Sequence, residues 1–355
     1  MNKIGVDVKF EDGRSLLGSD PFETLSVAYD LGFEGILLRT VDEAFPTLDS
    51  GAIREFAAEA KARSMFIQLG LGKVNPYMTA ELPRVRDLGR GSYLGGMERM
   101  VGLCAEYGWT EAWTAAGAYQ HDLPAPFCFE RFRTDVDWQD QLDATAKFLR
   151  KLAPMLREHG VRLNLETHEE ITTFELLRLI DEIGDDVLGV CLDPANLMVR
   201  GELVEDAVRR VAPYVNMTHL RDAVILPTED GLSRFLAPIG KGAVDWNRLL
   251  GHVLGAHPEL DLVIEGIGGS RAEMLVQPDD PRWMAMHPDM DEADAEELRK
   301  LASWFHAESL LGRAPTVAEL RASPPSGPDY TDFLATSLRA LKAALDSRAT
   351  SSLAP

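Results

Sequence analysis

The strongest constraint on the fold is a rhythm of short apolar segments, each followed by an amphipathic helical pattern, along the 355 residues of the chain. The segments typical of strands are residues 4–10, 33–40, 65–71, 110–115, 161–168, 187–193, 215–221 and 262–266. Helical patterns between them include residues 21–31, 52–62, 94–107 and 139–159. Because strands that alternate with helices form parallel sheets, the order predicts the α/β class and a (β/α)8 TIM barrel. A Rossmann-type sheet is the alternative, but no Gly-x-Gly-x-x-Gly motif follows the first segment.

Two long stretches interrupt this alternation. Residues 117–137 follow the fourth strand, and residues 268–328 separate the eighth strand from a final helical pattern at 330–345. We therefore predict one barrel domain over residues 1–346, with insertions after strands 4 and 8, and a flexible tail over residues 347–355. Both insertions begin at carboxyl ends of strands, where barrel active sites lie, so they are candidate lids or subunit contacts. Surface decoration is the alternative.

The charge of the chain limits its partners. Its formal net charge is −21, which repels phosphate backbones and predicts no nucleic-acid binding. No apolar run is long enough to span a bilayer and no signal-peptide core stands at the N-terminus, so we predict a cytoplasmic protein without membrane contact. The three cysteines lie far apart and match no metal or redox spacing, which predicts packing roles for Cys104, Cys128 and Cys191.

Four late strands each carry a potential metal ligand near the carboxyl end. A charged group at the end of an apolar strand is costly to bury unless it is paired or coordinated. Any one of these residues alone could be an ion pair or a helix cap, but four at the same depth on successive strands predict a single metal site. The predicted ligands are Glu166, Asp193, His219 and Glu265.

Strand parity adds two further candidates. Side chains alternate along a strand, so His168 shares the inward face of Glu166, and Arg221 shares that of His219. A divalent ion can polarise a carbonyl, a base such as His168 can remove the adjacent proton, and Arg221 can stabilise the enediolate. The alternative for His168 is a loop residue whose hydrogen bonds are satisfied within the fold.

These residues, within LNLETH, LDPAN, THLRD and LVIEG, together with the loop PIGKGAVDW, resemble the xylose-isomerase-like superfamily of sugar-phosphate isomerases and epimerases. The likeness covers the whole barrel order and is strongest over residues 161–266. It implies that the four ligands hold one ion, Mn²⁺ with Mg²⁺ or Co²⁺ as alternatives, in agreement with an oxygen-rich ligand set. It also implies that Glu166 and Glu265 transfer protons, as in ketose epimerases. The chain departs from those epimerases at Asn196, where they carry a histidine.

A second likeness concerns the run ETHEEIT, which begins at Glu166. It is similar to the barrel (alpha) subunit of C-glycoside deglycosidases, which cleave 3-keto glycosides by elimination and work beside a smaller partner chain. This likeness implies that His168 removes the proton at C2 and that the chain is a lyase subunit.

We therefore predict a metal-dependent enzyme that abstracts a proton next to the carbonyl of a keto sugar or 3-keto glycoside, of the isomerase or epimerase type. The alternative is the deglycosidase-type lyase. An endonuclease, which would need many more histidines than His121, His168 and His219 at strand ends, and a non-enzymatic sugar-binding protein are less favoured. The predicted small-molecule partner is a sugar or glycoside. We also predict an oligomer, for which a hetero-oligomer with a smaller chain is one alternative.

Overall fold

The computed structural model describes residues 2–11, 14–78, 82–117, 123–124, 127–266, 272–322 and 327–351. These residues form eleven strands, which are β1 (Ile4–Val8), β2 (Gly35–Leu38), β3 (Phe66–Gly70), β4 (Glu111–Thr114), β5 (Arg162–Glu166), β6 (Leu188–Leu192), β7 (Val215–Thr218), β8 (Asp222–Thr228), β9 (Gly231–Ala237), β10 (Leu262–Glu265) and β11 (Met274–Val276). The eight segments that the sequence predicts as strands correspond to β1–β7 and β10.

Those eight strands form one parallel sheet in the order β10-β1-β2-β3-β4-β5-β6-β7. Its outer strands, β7 and β10, meet through a parallel bridge between Leu220 and Ile264. There the Leu220 amide donates to the Val263 carbonyl at 2.7 Å. The sheet therefore closes on itself, and the predicted (β/α)8 barrel is confirmed.

Helices connect the strands and cover the outside of the barrel. Several begin at side-chain caps, such as the Asp20 carboxylate, which accepts hydrogen bonds from the amides of Phe22 and Glu23. The described helices are α1 (Pro21–Asp30), α2 (Val41–Ala44), α3 (Ser50–Ala62), α4 (Pro83–Leu88), α5 (Tyr93–Tyr107), α6 (Trp138–His159), α7 (Thr173–Ile183), α8 (Pro194–Leu197), α9 (Val204–Val211), α10 (Trp246–Ala256), α11 (Pro281–Ala285), α12 (Glu292–Leu310), α13 (Val317–Arg321) and α14 (Gly327–Ser351). Their apolar faces and the outward faces of the strands share one large core.

The inside of the barrel holds a smaller core of its own. It consists of Leu37, Trp113, Ala115, Cys191, Met217 and Val263. Asp193, His219 and Glu265 each follow one of these inward residues by two positions, so alternation along the strand directs them to the same side. The three cysteines are buried and unpaired, as the sequence predicts.

A second layer lies over the barrel mouth, and we call it the cap. It consists of residues 127–132, β8, β9, β11, α11, α12 and α13. β8, β9 and β11 form an antiparallel sheet, which packs with α12 and with Phe129 from the strand-4 insertion in a separate hydrophobic core. The two insertions therefore pack against each other. The sequence analysis did not predict the β8–β9 hairpin.

The glycine-rich loop after the hairpin is held by one carboxylate. Asp222 accepts hydrogen bonds from the amides of Gly240 at 3.0 Å and Val244 at 3.1 Å, and from the Trp246 indole at 2.9 Å. A Cβ at Gly242 would lie 2.3 Å from the Ala223 carbonyl oxygen, so only glycine fits there. The carboxylate of Asp222 thus fixes the conformation of this loop.

The chain end differs from the prediction. Helix α14 continues to Ser351, beyond residue 347 where we expected a flexible tail to begin, because its alanine-rich sequence continues to favour helix. Residues 352–355 lie outside the described part, as do the predicted insertion residues 118–122, 125–126, 268–271 and 323–326, His121 among them. Among the described helices, none combines the length and the apolar character that a bilayer crossing requires.

Candidate metal centre

The four predicted ligands meet at the carboxyl end of the barrel. Glu166 ends β5, Glu265 ends β10, and Asp193 and His219 directly follow β6 and β7. All four side chains are buried. The structure therefore brings together every residue that the sequence selected as a ligand.

Three of these residues form a group that could hold an ion. His219 Nδ1 lies 3.4 Å from Glu166 Oε2 and 3.6 Å from Glu265 Oε2. One atom from each residue lies within 4.8 Å of the other two. Within the described part of the chain, neither ring nitrogen of His219 nor Glu265 Oε2 has a hydrogen-bond partner. Because an unpartnered buried polar atom is costly, the donor set fits a bound cation.

Asp193 stands beside this group and is turned towards an arginine. Its Oδ2 accepts from Arg221 Nε at 2.7 Å, and its Oδ1 accepts from the Ala195 amide at 2.9 Å. Burial and the nearby carboxylate of Glu265, against the opposing effect of Arg221, raise the pKa of Asp193 to about 7. The fourth predicted ligand is therefore in place, but its carboxylate is shared with Arg221.

Arg221 lies where the sequence predicted, next to the ligands. Besides Asp193, its guanidinium reaches Glu265 Oε1 at 3.1 Å and donates to Asn196 Oδ1 at 3.2 Å. Asn196 also donates to Glu166 Oε1 at 3.3 Å. The residue at which the chain departs from ketose epimerases thus orients a ligand.

The sequence analysis missed an ion pair from the first two strands, next to β10. Asp7 in β1 pairs with Arg39, whose Nη2 also lies 2.5 Å from Glu265 Oε1. Asp7 Oδ1 lies 3.7 Å from His219 Nε2 and has no hydrogen-bond partner among the described residues. An aspartate within the apolar run IGVDV was the available signal, because a buried charge in a strand needs a partner.

A tryptophan was missed as well. Trp113 in β4 donates from its indole nitrogen to Glu166 Oε2 at 2.8 Å, and its ring stacks near His219 with centroids 5.8 Å apart. It fixes the orientation of the Glu166 carboxylate. Nothing in the sequence of β4 distinguished this tryptophan from a residue of the core.

The buried charges of the centre do not balance. Four carboxylates, those of Asp7, Glu166, Asp193 and Glu265, face the two guanidiniums of Arg39 and Arg221. With all four carboxylates ionised and His219 neutral, this leaves an excess of two negative charges, which a single divalent cation would neutralise. The raised pKa of Asp193 reflects the same crowding of carboxylates. Burial lowers the pKa of His219, but Glu166 and Asp7 outweigh it and raise that pKa, so a proton competes with a metal for the ring.

His168 lies beyond the end of β5, and two glutamates contact its ring. Strand β5 ends at Glu166, and Thr167 bonds to the Asp193 backbone. Beyond it, His168 Nδ1 bonds to Glu170 and His168 Nε2 lies 3.0 Å from Glu169 Oε2. Burial works against a charged ring, but the two glutamates raise the pKa of His168 well above its usual range. Both ring nitrogens therefore face carboxylates.

Lys73, directly beyond β3, is a further residue that the sequence analysis missed. Its ammonium donates to the Gly117 carbonyl. Burial lowers its pKa, and the charges of Glu170 and Glu166 oppose that shift, which places the lysine near the centre. Its position at the carboxyl end of a barrel strand was the available signal.

Comparison with known proteins agrees with this geometry. Residues 25–284 match the model of a family described as xylose isomerase-like TIM barrel. Two curated relatives match part of the chain. An uncharacterized protein of Escherichia coli, YihM, is 26% identical over 122 residues, and the 3-oxo-isoapionate decarboxylase of Pectobacterium atrosepticum is 28% identical over 109 residues. These matches cover 34% and 30% of this chain but only 37% and 40% of the relatives.

Solved structures share the fold at lower sequence identity. The 3-keto-D-glucoside 4-epimerase YcjR of E. coli superposes with a TM-score of 0.53 at 16% identity, over 84% of this chain and 100% of the epimerase. This likeness supports the barrel fold over that share of the chain.

The charge excess generates a prediction about metal content. Glu166→Gln, Asp193→Asn, His219→Ala and Glu265→Gln should each lower the bound Mn²⁺ below one ion per chain, measured by elemental analysis after dialysis. Mn²⁺ at a hundred times its dissociation constant should stabilise the wild type by about 2.7 kcal/mol and the variants by much less.

The exposed Glu259→Gln and His306→Ala provide matched controls that should retain one ion. Full Mn²⁺ content in both Glu166→Gln and His219→Ala would contradict the ligand assignment.

Proposed function

Because the chain belongs to the xylose isomerase-like TIM barrel family, we propose that it is a metal-dependent enzyme that moves a proton next to the carbonyl of a keto sugar, as isomerases and epimerases do. The observation that carries the proposal is the buried group of Glu166, His219 and Glu265. In this group, both ring nitrogens of His219 and Glu265 Oε2 lack hydrogen-bond partners among the described residues. This group lies at the carboxyl end of the strands, where barrel enzymes place their chemistry.

Glu166, Asp193, His219 and Glu265 would hold the ion. Three carboxylates and one imidazole suit Mn²⁺, with Mg²⁺ and Co²⁺ as alternatives. When bound, a divalent ion at this place supplies Lewis-acid polarisation of a substrate carbonyl.

The chain's own residues supply the proton transfer. Burial opposes ionisation of Glu166, but the charges of His219, His168 and Arg221 outweigh it and lower its pKa, so this carboxylate is ionised and available as a proton acceptor. With His219 neutral as a ligand, a bound cation would take over this effect. Trp113 and Asn196 fix its two oxygens. Glu265, held from the other side by Arg39 and Arg221, is the second member of the proton-transfer pair.

Arg221 is the cation next to the reacting oxygen in this proposal. Its guanidinium lies 2.6 Å from Asp193 Oδ2 and 3.1 Å from Glu265 Oε1, between two of the ligands. Negative charge that develops on an enediolate oxygen at this place would be stabilised by a planar cation that is already oriented.

The lyase alternative assigns His168 as the base that removes a C2 proton from a 3-keto glycoside. The run ETHEEIT supports it, and one relative and one structural neighbour carry a 3-oxo or 3-keto substrate in their names. The contacts of His168 oppose it, because a general base needs a free lone pair and both ring nitrogens face glutamates. We therefore place the isomerase or epimerase reaction first.

An exposed apolar surface supports the proposed assembly into oligomers, one form of which would include a smaller chain. Trp304, Leu310 and Leu311 near the end of α12 are more than half exposed, and exposed apolar side chains that cluster often mark contacts between subunits. The net charge of −21 continues to argue against the endonuclease alternative.

Solvent exchange tests the proposed reaction directly. In D₂O with Mn²⁺, the protein should introduce deuterium at the carbon next to the carbonyl of D-fructose, D-psicose or a 3-keto glucoside, observed by NMR. Glu166→Gln and Glu265→Gln should slow exchange by about 10²-fold or more, because each removes a proton-transfer group, whereas Glu259→Gln should not. Exchange that persists in both glutamine variants, or that EDTA leaves unchanged, would refute the mechanism.

A second experiment separates the isomerase from the lyase. If His168 only orients neighbouring groups, His168→Gln should cost about the equivalent of one hydrogen bond, roughly 1 kcal/mol or fivefold in rate. The raised pKa of His168 keeps its ring protonated near neutrality. The pH–rate profile of the wild type should therefore have no rising limb near pH 6–7 that is lost in His168→Gln. A loss of about 10²–10⁴-fold on 3-keto glycosides, together with such a limb, would establish the lyase instead.

A further inference from the structure

Arg234 lies in β9, where the cap meets the barrel mouth. Side chains alternate along the strand, and the neighbouring Phe235 packs in the core of the cap while Leu236 packs in the core of the barrel. Arg234 shares the side of Leu236, so it is directed towards the barrel. Its side chain is fully buried.

The guanidinium of Arg234 is only partly satisfied. Its Nη2 lies 3.3 Å from Glu169 Oε1, whereas Nε and Nη1 have no hydrogen-bond partner within the described ranges. Glu169 is not available to Arg234 alone, since its other oxygen lies 3.0 Å from His168 Nε2. A buried guanidinium that shares its one carboxylate leaves two of its donors without an acceptor.

The surroundings of Arg234 connect it to the metal centre. The charges that act on its guanidinium are those of Glu169, Arg221 and Asp193. Arg221 uses its nitrogens on Asp193, Asn196 and Glu265. Of the two guanidiniums, Arg234 is thus the one with donors left for a ligand.

We infer that Arg234 recognises an oxyanion, a carboxylate or a phosphate, carried by the sugar substrate. The inference rests on the proposed function and extends it by stating the substrate class: an acidic keto sugar rather than a neutral one. A charged oxygen acceptor satisfies the free nitrogens with hydrogen bonds between two ionised groups, which are stronger than the bonds that a neutral hydroxyl would accept. The anionic group then lies beside Asp193 and Arg221, next to the place of the carbonyl.

Matched ketoses test this by calorimetric titration of the full-length protein loaded with Mn²⁺. D-Fructose is neutral, D-fructuronate carries a carboxylate at the position of its C6 hydroxymethyl group, and D-fructose 6-phosphate carries a phosphate there. We expect one of the two acids to bind about 10–100-fold more tightly than D-fructose, and the acid that does so identifies the oxyanion.

Variants connect the preference to the residue. Arg234→Met should remove the preference for the acid and leave the affinity for D-fructose within a few-fold of wild type. Arg234→Lys should retain part of the preference, because it keeps the charge but loses the planar fork. Arg209→Met, an exposed arginine on α9, is the control and should behave as wild type. Melting temperatures measured without sugar check that the variants are folded.

Three results would overturn the inference: equal affinities for the three sugars, no binding of either acid, or an acid preference that survives in Arg234→Met. Binding is measured here without turnover, so the outcome is distinguishable from failure of the proposed function. If the preference for the acid depends on Arg234 but the protein exchanges no α-proton, the anion site is supported and the proposed reaction is rejected.

Discussion

The excess of negative charge inside the barrel mouth is the constraint on which the rest of the structure depends. Four carboxylates converge with only two guanidiniums, in a region where the side chains of Asp7, Glu166, Asp193 and Glu265 are almost inaccessible to water. Buried charges of one sign are tolerated when they are neutralised in place. A divalent ion at His219 would neutralise this charge and would give one ring nitrogen of His219 and Glu265 Oε2 a bonding partner. It would also create an electrophile at the point where substrate arrives.

The cap contributes a further charged residue, Arg234, near this centre. Its core joins the two insertions and the β8–β9 hairpin into one body, and the hairpin carries Arg234 to the mouth. The barrel supplies the carboxylates, and the cap supplies a cation whose donors are incompletely used. A substrate that is held between a metal and an arginine can be positioned at two points, which fixes the reacting carbon relative to Glu166 and Glu265.

Much of this arrangement could be predicted from the sequence, because it follows from local periodicity. The eight strand segments and the inward parity of Cys191 and Val263 placed Asp193 and Glu265 correctly. The pattern Thr-x-x-Glu at residues 172–175 is typical of a helix start, and Thr172 and Glu175 form a capping box at α7. These features depend on a few neighbouring residues, and such patterns are visible in a single sequence.

The remaining features depend on contacts between distant segments. Asp7 and Arg39 belong to the centre only because β1 closes against β10, which no local pattern reveals. His168 was placed by extending the alternation of β5 past Glu166, but the strand ends there and the next residues pair among themselves. The hairpin was missed because its polar turn and glycine loop resemble a connection, and only pairing with β11 makes its role clear.

The most direct test of the central claim is an anomalous difference map from crystals grown with Mn²⁺. The account predicts one strong peak per chain, at about 2.0–2.4 Å from oxygen or nitrogen atoms of Glu166, His219 and Glu265, with Asp193 as the fourth protein ligand. The charge argument would be contradicted by a map without a peak there, or with its main peak at His168, Glu169 and Glu170.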